Sequence, residues 1–151
     1  METTDKNSLS KRLENVLERN IDAQKGYEKA SENAESKSLR SFFLKKSNDR
    51  KEFNQELKSD IHAAFGELEK DGSLKGTLHR TWMDVKNLLS ADNDEAMLEE
   101  CIRGDKAAIE EYSEILEDTE LPVKLSATIR NQMLQLRTDL NQVSKLEDLK
   151  N

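Results

Sequence analysis

A single cysteine, a single proline and five glycines are all that 151 residues hold of these three types. One Cys cannot close an internal disulfide or supply the thiolates of a structural zinc site, and it fits a reducing, cytoplasmic setting. Apolar stretches are equally short. None approaches the roughly 18 residues of a membrane span, and the polar N-terminal stretch lacks a signal-peptide core, so no membrane role is expected. Basic residues are in deficit, 24 Lys+Arg against 31 Asp+Glu, for a net charge of −7. An acidic surface repels phosphate backbones, so nucleic acid is not expected as a partner. There is no glycine-rich phosphate loop, nucleophile elbow or EF-hand-type ligand loop.

What the chain does hold is helix-forming chemistry: 36% charged and 34% hydrophobic residues with almost no breakers. The length suits one domain over residues 1–151 with a sizeable core. Leu9, Leu13, Val16, Asn20, Ala23, Tyr27, Ala30 and Ala34 alternate steps of four and three, which makes one face of a helix. A second such stripe runs Leu39, Phe43, Lys46, Arg50, Phe53, Leu57, Ile61 and Ala64. Leu74, Leu78, Trp82, Val85 and Leu89 mark a shorter third helix. Leu98, Cys101, Asp105, Ile109, Tyr112 and Leu116 mark a fourth, with a capping-box spacing at Asp92 and Glu95. Leu125, Ile129, Gln132, Leu136, Leu140 and Val143 mark a fifth, with Pro122 in its first turn. The helices are expected at about 8–35, 37–65, 73–90, 93–118 and 122–147, with frayed ends over Met1 to Asn7 and from about Leu146.

Short loops near Glu35–Lys37 and Asp118–Leu121 imply two antiparallel hairpins. The longer stretch between them lets the second hairpin be entered by a crossover, with the short helix packed outside. The expected fold is therefore all-α, a ferritin-like antiparallel four-helix bundle with a short extra helix in the crossover. Asn20 precedes Tyr27, and Asp105 precedes Tyr112, by the same two helical turns, a faint echo between the hairpins.

Three segments carry a resemblance: Glu18 to Ala30, Gly72 to Met83, and Cys101 to Asp105 followed by Tyr112. The middle one, Gly-Ser-x-x-Gly-x-x-His-Arg-x-Trp, is the most specific. Together they resemble a bacterial family of ferritin-like four-helix bundles that carries a domain-of-unknown-function label, number 2383. The resemblance spans nearly the whole chain. It implies the bundle fold and a bacterial cytosolic setting, and it supplies no reaction.

Di-iron and di-manganese bundles hold their metals with two Glu-x-x-His pairs and two further Glu. The only histidines, His62 and His79, follow Ser59 and Gly76 at that spacing, so the pattern fails. At the inward central positions stand Asn20, Arg50, Asp105 and Gln132. An Arg beside one inward Asp makes a hydrogen-bonded polar cluster in which the carboxylate can accept both prongs of the guanidinium. A dication beside Arg50 would be repelled. We therefore expect a structural polar cluster that sets the helix register, with no metal and no cofactor, the functional alternative for these four residues being a degenerate metal site or a small-molecule pocket. The alternative is a di-metal carboxylate protein, an oxidase or metal store, with a non-standard ligand set. It would need Glu18 or Glu52 to turn inward, since Asp105 is the one acid expected in the core, with Asp22 and Glu28 facing away.

Tyr27, Trp82 and Tyr112 are expected as core aromatics, each hydroxyl on a polar partner. Cys101 lies on an apolar face and should behave as a small hydrophobe, having no His and Asp set beside it. His79 and Arg80 flank Trp82 and form a candidate contact surface. No catalytic residue is expected. The favoured function is a non-catalytic structural or protein-interaction role, through self-association or a protein partner and stress-associated as ferritin-like relatives often are.

Overall fold

The structure, a computed structural model, describes residues 2–66 and 90–149, with side chains from Ser8 onward. The expected third helix, with Trp82, His79 and Arg80, lies outside the described residues. Four helices make up the rest: α1 (Glu2–Asn33), α2 (Lys37–Phe65), α3 (Asp94–Leu116) and α4 (Val123–Gln142). A 3-10 turn follows at Leu146–Leu149. No strand occurs among the described residues, and no described helix is long and apolar enough to cross a membrane.

The ends of each helix follow from local chemistry. Nothing between Glu2 and Ser8 breaks a helix, so α1 begins at Glu2 rather than Ser8. The Ser36 side chain accepts from the Leu39 amide to start α2. Gly66 ends it with φ of 88°, a left-handed-side value that Gly alone adopts cheaply. The start of α3 is capped by Asn93, which accepts from Ala96 N at 2.8 Å, one residue beyond the expected Asp92. Pro122 sits at the cap position before α4 rather than inside its first turn. Helix α4 stops at Gln142, short of the expected 147. There Asp148 accepts from the amides of Ser144 and Lys145 at 2.8 and 3.2 Å, replacing helical bonds with a turn. That turn brings Leu146 and Leu149 back against the bundle end.

Long-range contacts give the helix directions. Asp94, at the start of α3, accepts from Glu35 N and Ser36 N at the far end of α1, at 2.9 and 2.8 Å. Arg12, near the start of α1, pairs with Asp118 just past the end of α3 at 3.3 Å. Helices α1 and α3 are thus antiparallel. Lys124 at the start of α4 reaches Asp60 near the end of α2, and Asp139 near the end of α4 meets Lys46, so α2 and α4 are antiparallel too. Each helix packs on two others, α1 on α2 and α3, and α4 on α2 and α3. Helices α2 and α3 therefore run parallel on a diagonal, with Gly66 and Ser90 at opposite ends of the bundle.

The core has two apolar halves. One contains Leu9, Leu13, Val16, Phe53, Leu57, Ile61, Tyr112, Ile115, Leu125 and Ile129. The other contains Ala23, Tyr27, Ala30, Ala34, Leu39, Phe43, Met97, Leu98 and Cys101. Small alanines on α1 leave room in the second half for the Tyr27 and Phe43 rings, which stack 6.2 Å apart. Burial of some 1.5–3 kcal/mol per large apolar side chain is the main stabilising contribution of both halves. The stripe assignments need correction at their ends: Ala64 is exposed in the last turn of α2, and Ile109, Leu116, Leu140 and Val143 are half-buried. Glu18, expected on the outer side of α1, is buried, and Asp22 is half-buried; Glu28 and Glu52 are exposed.

Candidate functional site

Between the two apolar halves lies a layer of polar side chains from all four helices. Asn20 comes from α1, Lys46 and Arg50 from α2, Asp105 from α3, and Gln132 and Asp139 from α4. The first five are 1–2% exposed, so their polar atoms must find partners inside the protein. The 3-4 periodicity that places leucines inward elsewhere in each helix places these residues inward at mid-height.

Asp105 is the hub. Its Oδ1 accepts from Tyr27 Oη and Arg50 Nη2, both at 3.0 Å. Its Oδ2 accepts from Lys46 Nζ. The Arg50 fork is split rather than bidentate on one carboxylate: Nη1 donates to Asn20 Oδ1 at 2.7 Å. Lys46 Nζ also donates to Asp139 Oδ2 at 2.9 Å, and Gln135 Nε2 donates to Oδ1 of the same carboxylate at 3.2 Å. Asn20 Nδ2 donates to Tyr112 Oη, which donates to Gln132 Oε1, both at 2.8 Å. Gln132 Nε2 then reaches the Phe53 carbonyl and Glu56 Oε1, each at 3.3 Å. One hydrogen-bonded chain thus crosses the bundle from Gln135 to Glu56.

Asn20, Arg50 and Asp105 touch directly, and Gln132 joins them through Tyr112. Two members escape sequence reasoning. Lys46 lies on the α2 stripe but does not figure as a cluster member there. Asp139 is missed because the α4 stripe steps from Leu136 to Leu140, whereas a step of three reaches Asp139. Asp105 is therefore not the sole acid in the core. The signal that could have found both is charge balance: one Arg and one Asp at mid-height leave an inward Lys needing an acid.

Electrostatically the layer is closed on itself. Burial works hardest against a charged Lys46, yet Asp105, Cys101 and Asp139 together outweigh it and hold the ammonium above its ordinary range. Burial, then Asp105, pushes the Tyr27 phenol well above its ordinary value. Burial likewise raises Tyr112. The Cys101 thiol, buried beside the same carboxylate, is pushed up to about 12. Burial thus favours the neutral forms of both tyrosines and of the cysteine. Two buried cations face two buried carboxylates, and each carboxylate oxygen accepts a hydrogen bond.

A metal would need that donor set for itself. Among the described residues no group of three His, Cys, Asp or Glu side chains converges as a ligand set. Lys46 Nζ stands between Asp105 and Asp139, where an ion bridging the two carboxylates would have to sit. The described residues of this layer do not fit a di-metal centre. The layer can instead orient four helices, because each bond is directional and most join different helices.

Residues 8–118 match the model of a protein family described as a domain of unknown function, DUF2383. No curated protein matches the chain.

Proposed function

Given that the chain belongs to the DUF2383 family, we propose that it is a ferritin-like helical bundle with a non-catalytic role, an interaction protein of the bacterial cytoplasm associated with stress. The observation that supports this reading is the position of Lys46 between Asp105 and Asp139. In di-metal bundles the central carboxylates are neutralised by metal ions. In this chain Lys46 and Arg50 do so, and both cations and both carboxylates of the layer are paired with one another. A bundle that spends its centre on fixing its own shape works through its outer faces.

Metal retention tests the reading. Protein incubated anaerobically with Fe²⁺ or Mn²⁺ and desalted should retain neither ion on elemental analysis. Retention of stoichiometric metal, with loss of that metal on Asp105→Asn substitution, would make the protein a di-metal carboxylate oxidase or store instead.

A further inference from the structure

Helix α4 carries a second stripe on its outer side: Val123, Ala127, Arg130, Leu134, Arg137 and Asn141, again in alternating steps of four and three. All six are exposed. Val123 is 87% and Leu134 50% exposed, and the described residues contain just one other exposed large hydrophobic, Leu44. The stripe holds two arginines and no carboxylate, although the chain as a whole is acidic. The one acid of α4, Asp139, is turned into the core. At 1.5 Å per residue the stripe from Val123 to Arg137 is about 21 Å long.

The neighbouring helix has the complementary surface. On the outer side of α3 lie Arg103, Ala107, Glu110 and Glu114, continued by Glu117 at the helix end, all exposed. Arg103 is paired with Glu100 of its own helix and stands level with Asn141, beyond the two arginines of the α4 stripe. Among the described residues, neither these glutamates nor Arg130 and Arg137 form an ion pair within the chain. The Tyr112–Gln132 bond fixes the relative height of the two antiparallel helices. Counting outward from it, Arg130 is level with Glu114, Leu134 with Glu110, and Arg137 with Ala107, one turn from Glu110.

We propose that this face is a self-association surface whose occupant is a second copy of the chain. A two-fold axis parallel to the helices sets α4 of each copy against α3 of the other and preserves these heights. Arg130 then meets Glu114 and Glu117 of the second copy, Arg137 meets its Glu110, and Leu134 and Val123 leave water. The contact is isologous, so it closes at two copies and does not propagate. Apolar burial supplies the attraction, while the arginine–glutamate pairs set orientation and exclude α4 against α4, where like charges would meet. The proposal specifies the partner for the interaction role above and rests on that reading. It can fail independently, because metal retention interrogates the core and assembly interrogates the surface.

Sedimentation velocity on the full chain, with circular dichroism to check the fold, tests it. The wild type should move from one chain to two as concentration rises. Arg130→Glu with Arg137→Glu, and separately Glu110→Lys with Glu114→Lys, should each remain at one chain, since every substituted position is exposed. An equimolar mixture of the two variants should return to two chains, because both opposed helix pairs regain opposite charge. High salt should weaken the wild-type species without unfolding it. A wild type that stays at one chain throughout overturns the proposal, even if the face serves a different protein. So does a dimer that both variants retain, or a mixture that stays at one chain.

Discussion

Tyr27 of α1 donates to Asp105 of α3 at 3.0 Å, and two turns away the exchange is reversed, with Asn20 of α1 donating to Tyr112 of α3 at 2.8 Å. The polar residue of each helix thus serves the tyrosine of the other. The echo in which Asn20 precedes Tyr27 as Asp105 precedes Tyr112 is a crossed pair, made possible because the two helices are antiparallel. Arg50 joins the two rungs by donating to both Asn20 and Asp105.

The rungs differ in what their tyrosines leave behind. Tyr112→Phe strands Asn20 Nδ2 and Gln132 Oε1 in the core at once, for an expected loss of about 2–3 kcal/mol. Tyr27→Phe deprives Asp105 of one donor while Lys46 and Arg50 remain, for about 1 kcal/mol. Urea denaturation of the two variants should rank Tyr112→Phe as the weaker fold, and the opposite order would mean that Asp105 depends on Tyr27 more than on its cations.

Lys46 is the cation that Asp105 and Asp139 share. Its replacement by Met should cost about 3–5 kcal/mol, since it leaves buried carboxylate charge short of a partner. Adding Asp139→Leu to Lys46→Met should restore part of that loss, as the double change replaces one ion pair by apolar volume. A double-mutant cycle by chemical denaturation measures the coupling. Strict additivity of the two changes would show that Lys46 and Asp139 do not interact.

Asp22 supplies the pH dependence. Burial first, then the neighbouring Glu18, raise its carboxyl from 3.8 to about 6, against the pull of Lys25. The folded state therefore holds a proton that the unfolded chain releases earlier. Stability from this group is complete below pH about 4, falls as pH rises to about 6, and is flat above. Asp22→Asn mimics the protonated form, so it should raise the melting temperature at pH 7.5 and leave it unchanged near pH 3.5. Because Asp22 is half-exposed, solvent screening keeps the gain to about 1 kcal/mol or less. A gain that persists undiminished at low pH would trace to a cause other than its ionisation.

How much of this was legible beforehand depends on the residue. Asn20, Arg50, Asp105 and Gln132 sit squarely on apolar stripes, so periodicity alone places them inside. The helix directions follow from two short loops and one long connection. Side-chain partners are another matter. Periodicity gives an angle around one helix, whereas the split of the Arg50 fork between Asn20 and Asp105 depends on the relative heights of three helices. Glu18 lies on the side of α1 opposite its apolar stripe, where a pattern read from one helix assigns solvent, yet it is buried. Asp148 ends α4 by a bond formed beyond the helix, which the run of helix-forming residues before it does not announce.

The polar layer also decides which motions the bundle can make. Packed leucines tolerate one helix slipping past another, since a turn of about 5.4 Å brings a similar leucine into each vacated place. The layer has no such repeat. Sliding α1 against α3 by one turn would carry Asn20 away from Tyr112 and Tyr27 away from Asp105 together, and would strip Arg50 of its Asn20 acceptor. Shear along the helix axes is therefore blocked at mid-height, and the compliance of the molecule is confined to bending and splaying at its two ends.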